Sequence, residues 1–152
     1  TILHDEISEG DMINLSAPVG GFSIENTERP QLFIGSGVGM TPLVSMFKKA
    51  ASLNVPTQMI QAVVTEDERP FAQKLDSITD NYEQAQLHLH VKDKEGYLEA
   101  KELEQYLSEQ PEIYICGGTK FLHSIINSLK ELNYDMNHVH FETFIPRLSV
   151  QV

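Results

Sequence analysis

The chain has 152 residues, 41% of them hydrophobic, with 22 acids against 11 Lys and Arg and a formal charge of −11. That length suits one ordinary domain, which buries about 68–70% of its unfolded surface. The acidic balance excludes nucleic acid and anionic membrane surfaces as partners, no apolar run nears the roughly 20 residues of a membrane span, and a single cysteine excludes an internal disulfide framework.

Residues 1–24 differ from the rest of the chain. Glu9-Gly10-Asp11 reads as a turn, Met12-Ile13-Asn14-Leu15 alternates like a short strand, and Pro18-Val19-Gly20-Gly21 breaks it. This strand has no neighbours in the sequence given. From Pro30 onward strands and helices take turns. Gln31–Ile34 is a strand, and Leu43, Phe47, Ala50 and Ala51 mark one face of the helix after it. Thr57–Val64 is a second strand, followed by a helix with Phe71, Leu75, Ile78 and Tyr82 at helical spacing. Leu87, Leu89 and Val91 alternate with His88 and His90 in a third strand, and Ala100, Leu103 and Leu107 mark a short helix. Glu112–Ile115 is a fourth strand, Phe121 to Leu132 is an amphipathic helix, and Val139–Phe141 is a fifth strand. Such β/α alternation predicts an α/β fold of three layers, with a mostly parallel five- to six-stranded sheet and helices on both faces.

Glycines gather where the first strand should end, at Gly35-Ser36-Gly37-Val38-Gly39, with Met40-Thr41-Pro42 directly after. Thr41 and Pro42 signal a helix start: a hydroxyl can cap free amides, and proline suits the first turn. Glycines let backbone amides approach a ligand, and a helix start attracts anions, so a nucleotide pyrophosphate is the natural guest. The competing reading is an ordinary strand-to-helix turn. Met40 or Pro42 stands where the dinucleotide fingerprint needs its third glycine, and no Gly-Lys-Ser/Thr comes after, so two familiar phosphate loops are excluded.

Ligands of open parallel sheets bind beyond the carboxyl ends of the strands. Thr65-Glu66-Asp67-Glu68, Cys116-Gly117-Gly118 and Glu142-Thr143-Phe144 also come directly after strands, so all four segments should share one rim. Cys116 has no base or cation beside it in sequence to make thiolate, so it reads as a core residue or a neighbour of a flat ligand. The pairs His88/His90 and His138/His140 lack a third ligand at metal spacing and read as polar strand faces. The acids at 99, 102 and 104 read as a solvated helix face. Glu66-Asp67-Glu68 would accept hydrogen bonds from a ribose 2′-hydroxyl and repel a 2′-phosphate, with Arg69 the lone cation in that stretch, which favours NADH over NADPH.

Three motifs together, Gly-x-Gly-x-Thr-Pro at Gly37–Pro42, Cys-Gly-Gly at Cys116–Gly118 and Glu-x-Phe at Glu142–Phe144, resemble the ferredoxin–NADP⁺ reductase superfamily. Within it the chain is similar to the C-terminal reductase end of the flavohemoglobins, the nitric oxide dioxygenases. Leu3-His4-Asp5, Glu9-Gly10-Asp11 and Leu15 to Gly20 read like the end of that family's flavin barrel. The resemblance implies that 1–24 is a barrel remnant with linker and that 25–152 binds NAD(P)H. It implies that Gly35, Ser36, Gly37, Val38, Gly39, Met40, Thr41 and Pro42 hold the nucleotide, together with Thr65 and Glu66. Cys116, Gly117 and Gly118 would lie beside the nicotinamide, and Thr143, Phe144, Ile145 and Pro146 would border FAD. Cys116, Glu142 and Phe144 carry the catalytic expectation, and no metal is expected. Ile145 replaces a glycine of many relatives, and Gly118 a proline. The implied partners are flavin-binding and globin domains of the same polypeptide, which would carry FAD and haem for oxidation of nitric oxide to nitrate. Alone, the chain is not expected to turn over. A superfamily reductase serving an iron–sulfur protein or oxygenase, or a non-catalytic nucleotide-binding domain, are the alternatives. Thr1 is not an initiator Met, so the chain reads as a piece of a longer, cytoplasmic protein.

Overall fold

The computed structural model describes residues 5–17 and 20–143. Five strands form one sheet: β1 (Gln31–Ser36), β2 (Thr57–Val63), β3 (Ala85–Val91), β4 (Glu112–Gly117) and β5 (Val139–Thr143). Their spatial order is β3-β2-β1-β4-β5, and every neighbouring pair is parallel. The chain therefore builds outward from β1 in one direction, then returns to β1 and builds the other way, which puts the reversal of order between β1 and β4.

The strands are apolar on both faces because helices cover both. Phe33, Met59, Tyr114 and Cys116 point to one side, against Leu43, Val44, Phe47 and Ala50 of α1 (Met40–Ser52) and Leu75 and Ile78 of α2 (Ala72–Asn81). Leu32, Ile34, Ile60, Ile113 and Ile115 point to the other, against Leu103 of α4 (Ala100–Leu103) and Leu122, Ile125 and Leu129 of α5 (Thr119–Glu131). Between β3 and α4 lies a single turn, α3 (Lys92–Glu95). This is the three-layer parallel architecture that the alternation predicts.

Several local expectations change. Met12–Leu15 form no strand; Met12 is 98% and Leu15 83% exposed, since a lone strand without partners has nothing to bond. Phe71 lies outside the buried face of α2, at its N-cap position with φ 60°, so the helix starts one residue later than the spacing suggests. Glu99 and Glu102 are not merely solvated. They form a reciprocal capping box that closes the amino end of α4. Among the described residues no helix is long and apolar enough to cross a membrane.

Candidate functional site

The carboxyl ends of β1, β4 and β5 meet in register, Gly35 beside Cys116 and Cys116 beside Glu142, with Gly117 beside Thr143. Three of the predicted segments thus lie side by side at the reversal point of the sheet, where an open parallel sheet forms its crevice.

The glycines there have separate jobs. β1 runs through Gly35 and Ser36 before turning, so Gly35 belongs to the buried strand. A methyl group on it would sit 2.6 Å from Met40 Sδ and 2.7 Å from Leu43 Cδ1. Met40 is itself fully buried, which places its side chain in the core rather than at a ligand. Gly37 takes φ +55°, a backbone setting that glycine adopts without strain, and opens a one-turn 3₁₀ helix over Gly37–Gly39. Gly39 seats that turn on β4: a Cβ there would lie 2.2 Å from the Cys116 carbonyl oxygen and 2.5 Å from the Gly117 nitrogen. Gly118, by contrast, has open space around the position of a Cβ, so nothing within the described chain demands glycine there.

Thr41 does not cap amides as expected. Its hydroxyl donates to the Val38 carbonyl at 2.7 Å. That carbonyl is the acceptor which the N–H of residue 42 would normally serve, and Pro42 has none, so the hydroxyl fills the gap. The opening amides of the turn, at Gly37, Val38 and Gly39, remain without intrahelical partners, as at any helix start. Val38 stands 67% exposed above them.

Next to this turn, which does not itself line it, a cavity of about 510 Å³ extends from Ser36 to His90 of β3. Ser36 and Val63 form its floor, with Lys92, Tyr97, Lys120 and Phe121 among its walls. Lys92 Nζ lies 4.6 Å from the centre of the Tyr97 ring, a cation–π contact that steadies an aromatic side chain still 66% exposed. Thr65 and Glu66 sit beside this cavity without lining it, and Lys94 pairs with the Glu66 carboxylate. Arg69 is bound to Asp76 at 2.7 Å. The expected preference for NADH rests on this acidic turn, and Arg69 is paired with Asp76 there; the fold also brings Lys92 and Lys120 to the neighbouring cavity from distant positions.

Cys116 is fully buried, and burial together with the nearby Glu142 carboxylate pushes its thiol up to about 11. It is protonated at neutral pH and cannot act as a nucleophile. Glu142 is exposed, and the Thr143 hydroxyl oxygen is buried without a hydrogen-bond partner. Phe144, Ile145 and Pro146 lie outside the described residues. The strand histidines are all engaged: His88 with Gln58 at 3.0 Å, His90 with the Gly96 carbonyl at 3.0 Å, and His138 and His140 with Glu112. Among the described residues no group of three such side chains is arranged so that it could hold a metal ion.

Against known proteins, the model of the oxidoreductase NAD-binding domain matches residues 33–126, more than half of the chain. The chain belongs to that family. A flavohemoprotein of Bacillus cereus is 30% identical over 98% of this NAD-binding domain and 41% of its own length. Flavohemoprotein B of Dictyostelium discoideum is 28% identical over 97% of the domain and 38% of its own length. The domain thus spans about two fifths of the length of these relatives. The FAD/NAD-binding domain of nitric oxide dioxygenase from Vibrio cholerae superposes with a TM-score of 0.83 at 26% identity, covering 95% of this domain and 63% of that chain. Its fold is the ferredoxin reductase-like NAD-binding fold.

In this NAD-binding domain the glycine turn and the Cys-Gly-Gly segment are legible in sequence, whereas the meeting of Lys92, Tyr97 and Lys120 around one cavity is not. Tyr97 is visible beside Gly96 as the start of a loop; nothing in one dimension ties it to residues 36 and 63. The residues present fit a dinucleotide. The seat of Gly39 on β4 and the open space over Gly118 form a cradle, and the adjoining cavity adds cations and an exposed aromatic ring.

Proposed function

We propose that the chain binds NAD(P)H at the carboxyl edge of its sheet and presents the nicotinamide to an FAD held by an upstream flavin barrel. In the longer protein the electrons pass on to haem in a globin domain, for oxidation of nitric oxide to nitrate. On this reading residues 1–24 close the barrel and link it to the nucleotide-binding domain 25–152. The observation that carries the reading is the 3₁₀ turn Gly37–Gly39 seated on the Cys116–Gly117 peptide at the reversal point of the sheet. The likeness to flavohemoproteins over nearly the whole chain supports it.

When bound, the nicotinamide and flavin supply the hydride chemistry; the chain supplies alignment and surroundings. The free amides of Gly37, Val38 and Gly39 bind the diphosphate, and Thr41 and Pro42 stiffen the turn that aims them. Lys92 and Lys120 hold further phosphate charge, and the Tyr97 ring offers a face for the adenine. Gly118 leaves room for the flat nicotinamide, whereas the space at Gly117 is taken by the Phe121 ring, 2.6 Å from where a Cβ would stand. Cys116, neutral and buried, packs behind it without exchanging protons. Glu142 lies at the edge facing the flavin and haem domains, and Thr143, Phe144, Ile145 and Pro146 border the flavin. The acidic turn Glu66-Asp67-Glu68 would accept hydrogen bonds from a ribose 2′-hydroxyl and repel a 2′-phosphate, so NADH is expected to bind more tightly than NADPH.

Calorimetric titration with each nucleotide tests this. Saturable binding that weakens at least tenfold in Tyr97→Ala is the expected result. No saturable binding of either nucleotide up to millimolar concentration would overturn the assignment. In the full-length protein, Phe144→Ala should alter hydride transfer or nucleotide preference.

A further inference from the structure

The ring that the site offers to the adenine, Tyr97, stands on a stretch of chain whose ends are fixed while its middle has a choice. Leu98 on one side is 6% exposed and packs in the apolar layer that holds Leu103 and Leu122. On the other side the Gly96 N–H donates to the Lys92 carbonyl at 2.8 Å and closes α3. Gly96 itself takes φ 81° and ψ −163°, a setting essentially reserved for glycine. Nothing stands within 4 Å of where its Cβ would be, so no steric contact selects that setting. Without another tie the peptide between Gly96 and Tyr97 is free to turn, and the ring turns with it. The Lys92 ammonium, 4.6 Å from the ring centre, does not prevent this, because it sits on a flexible stem that follows the ring.

The tie comes from β3. His90 is 7% exposed, and its Nε2 lies 3.0 Å from the Gly96 carbonyl oxygen. A carbonyl only accepts, so Nε2 carries a hydrogen and donates it, in the neutral and the protonated ring alike. The imidazole does not swing away with the loop. It belongs to a strand held in register with β2, His90 beside Ala62, and it forms part of the wall of the cavity that Lys92 and Tyr97 also line. A rigid strand therefore grips the one peptide whose orientation glycine leaves open. His88, two residues earlier on the same face of β3, does nothing comparable: it bonds the Gln58 side chain at 3.0 Å and packs edge-on against Tyr106.

We infer that His90 is a positioning residue for the nucleotide: through the Gly96 carbonyl it fixes the direction of the Tyr97 ring and so presets the adenine end of the site, a role that rests on the assignment of that ring to the adenine. A shelf ordered before the ligand arrives spares the cost of ordering it on binding. His90 acts through Tyr97 and not on the nicotinamide, so it governs affinity and leaves the geometry of hydride transfer untouched.

NMR relaxation of this chain without nucleotide reads the positioning directly. The amide order parameter of Tyr97 should fall from about 0.85 toward about 0.6 in His90→Ala while the amides of β1 keep theirs. His90→Gln, whose Nε2 can make the same donation, should retain most of the order, and His88→Ala should leave it unaltered. Calorimetric titration with NADH and with 5′-AMP reads the consequence. His90→Ala should weaken both by about three- to tenfold, the yield of one ordinary hydrogen bond. Added to Tyr97→Ala, it should weaken them by less than about twofold. An unchanged order parameter, or an equal loss of affinity with and without Tyr97, would overturn the inference. Undiminished NADH binding in Tyr97→Ala would instead overturn the adenine assignment, with the order parameters still deciding whether His90 holds the ring.

Discussion

Gly39→Ala sets two physical effects against each other. The backbone at Gly39, φ −62° and ψ −14°, is ordinary helix, where alanine is favoured over glycine by up to about 1 kcal/mol. Propensity alone therefore predicts a more stable protein. The packing predicts the reverse. A new methyl carbon would lie 2.2 Å from the Cys116 carbonyl oxygen, 2.4 Å from its carbonyl carbon and 2.5 Å from the Gly117 nitrogen. All three atoms belong to β4, which is bonded to β1 on one side and β5 on the other, so none can rotate away. Reaching ordinary contact at 3.4 Å lifts the turn by about 1.2 Å. Overpacking of this kind costs about 1–3 kcal/mol, which lowers Tm by roughly 3–10 °C in a chain of this size. The lift also moves the amides of residues 37–39 off β4, so NADH affinity should fall by at least tenfold. Thermal melts followed by circular dichroism, with a parallel NADH titration, decide it. A variant as stable as the wild type would refute the claim that the turn rests on β4.

Gly118→Asp should separate site from scaffold: aspartate is a good N-cap for α5, so Tm holds or rises slightly, while the added charge and bulk weaken NADH binding, less so at high salt. Cys116 has its thiol pushed up to about 11 by burial and by Glu142, so the folded state keeps a proton that the unfolded chain, near 9.0, gives up sooner. The Cys116 contribution is complete below pH 9 and is lost as pH rises toward 11, by roughly 2–3 kcal/mol; a pH series of urea melts should show this slope, and Cys116→Ser should reduce it to the part owed to the buried tyrosines Tyr106, Tyr114 and Tyr134, whose hydroxyls burial also pushes up. Native Cys116 should also resist thiol reagents at pH 8 until the protein unfolds. Thr41→Val removes the hydroxyl bond to the Val38 carbonyl, leaving it only the Met40 N–H, and should cost about 1 kcal/mol, seen as a Tm drop of roughly 2–4 °C, whereas Thr41→Ser should recover most of it.

The strands and main helices were legible because their signals are local. Short apolar runs such as Leu32-Phe33-Ile34, bounded by turn residues, mark buried strands, and the spacing from Phe121 to Leu132 marks α5. The rim was legible for a topological reason: parallel strands send all their succeeding segments to one edge, so Cys116 and Glu142 had to join the glycine turn. Boundaries were less so. Gly35 and Ser36 look like loop, yet ladder bonds to β2 and β4 extend the strand through them. Met12–Leu15 alternates like a strand but finds no partner.

By itself, then, the amino-acid order determined which stretches are buried, their alternation, and hence a parallel sheet with one shared ligand edge, because periodicity and glycine placement act over a few residues. Only the tertiary structure decided how charge is distributed. It brought Lys94 to Glu66, set Lys92 and Lys120 around one cavity, and locked Glu112 between His138 and His140. Those meetings depend on strand order and register, which join residues tens of positions apart, and electrostatic energy depends on separation in space, not along the chain.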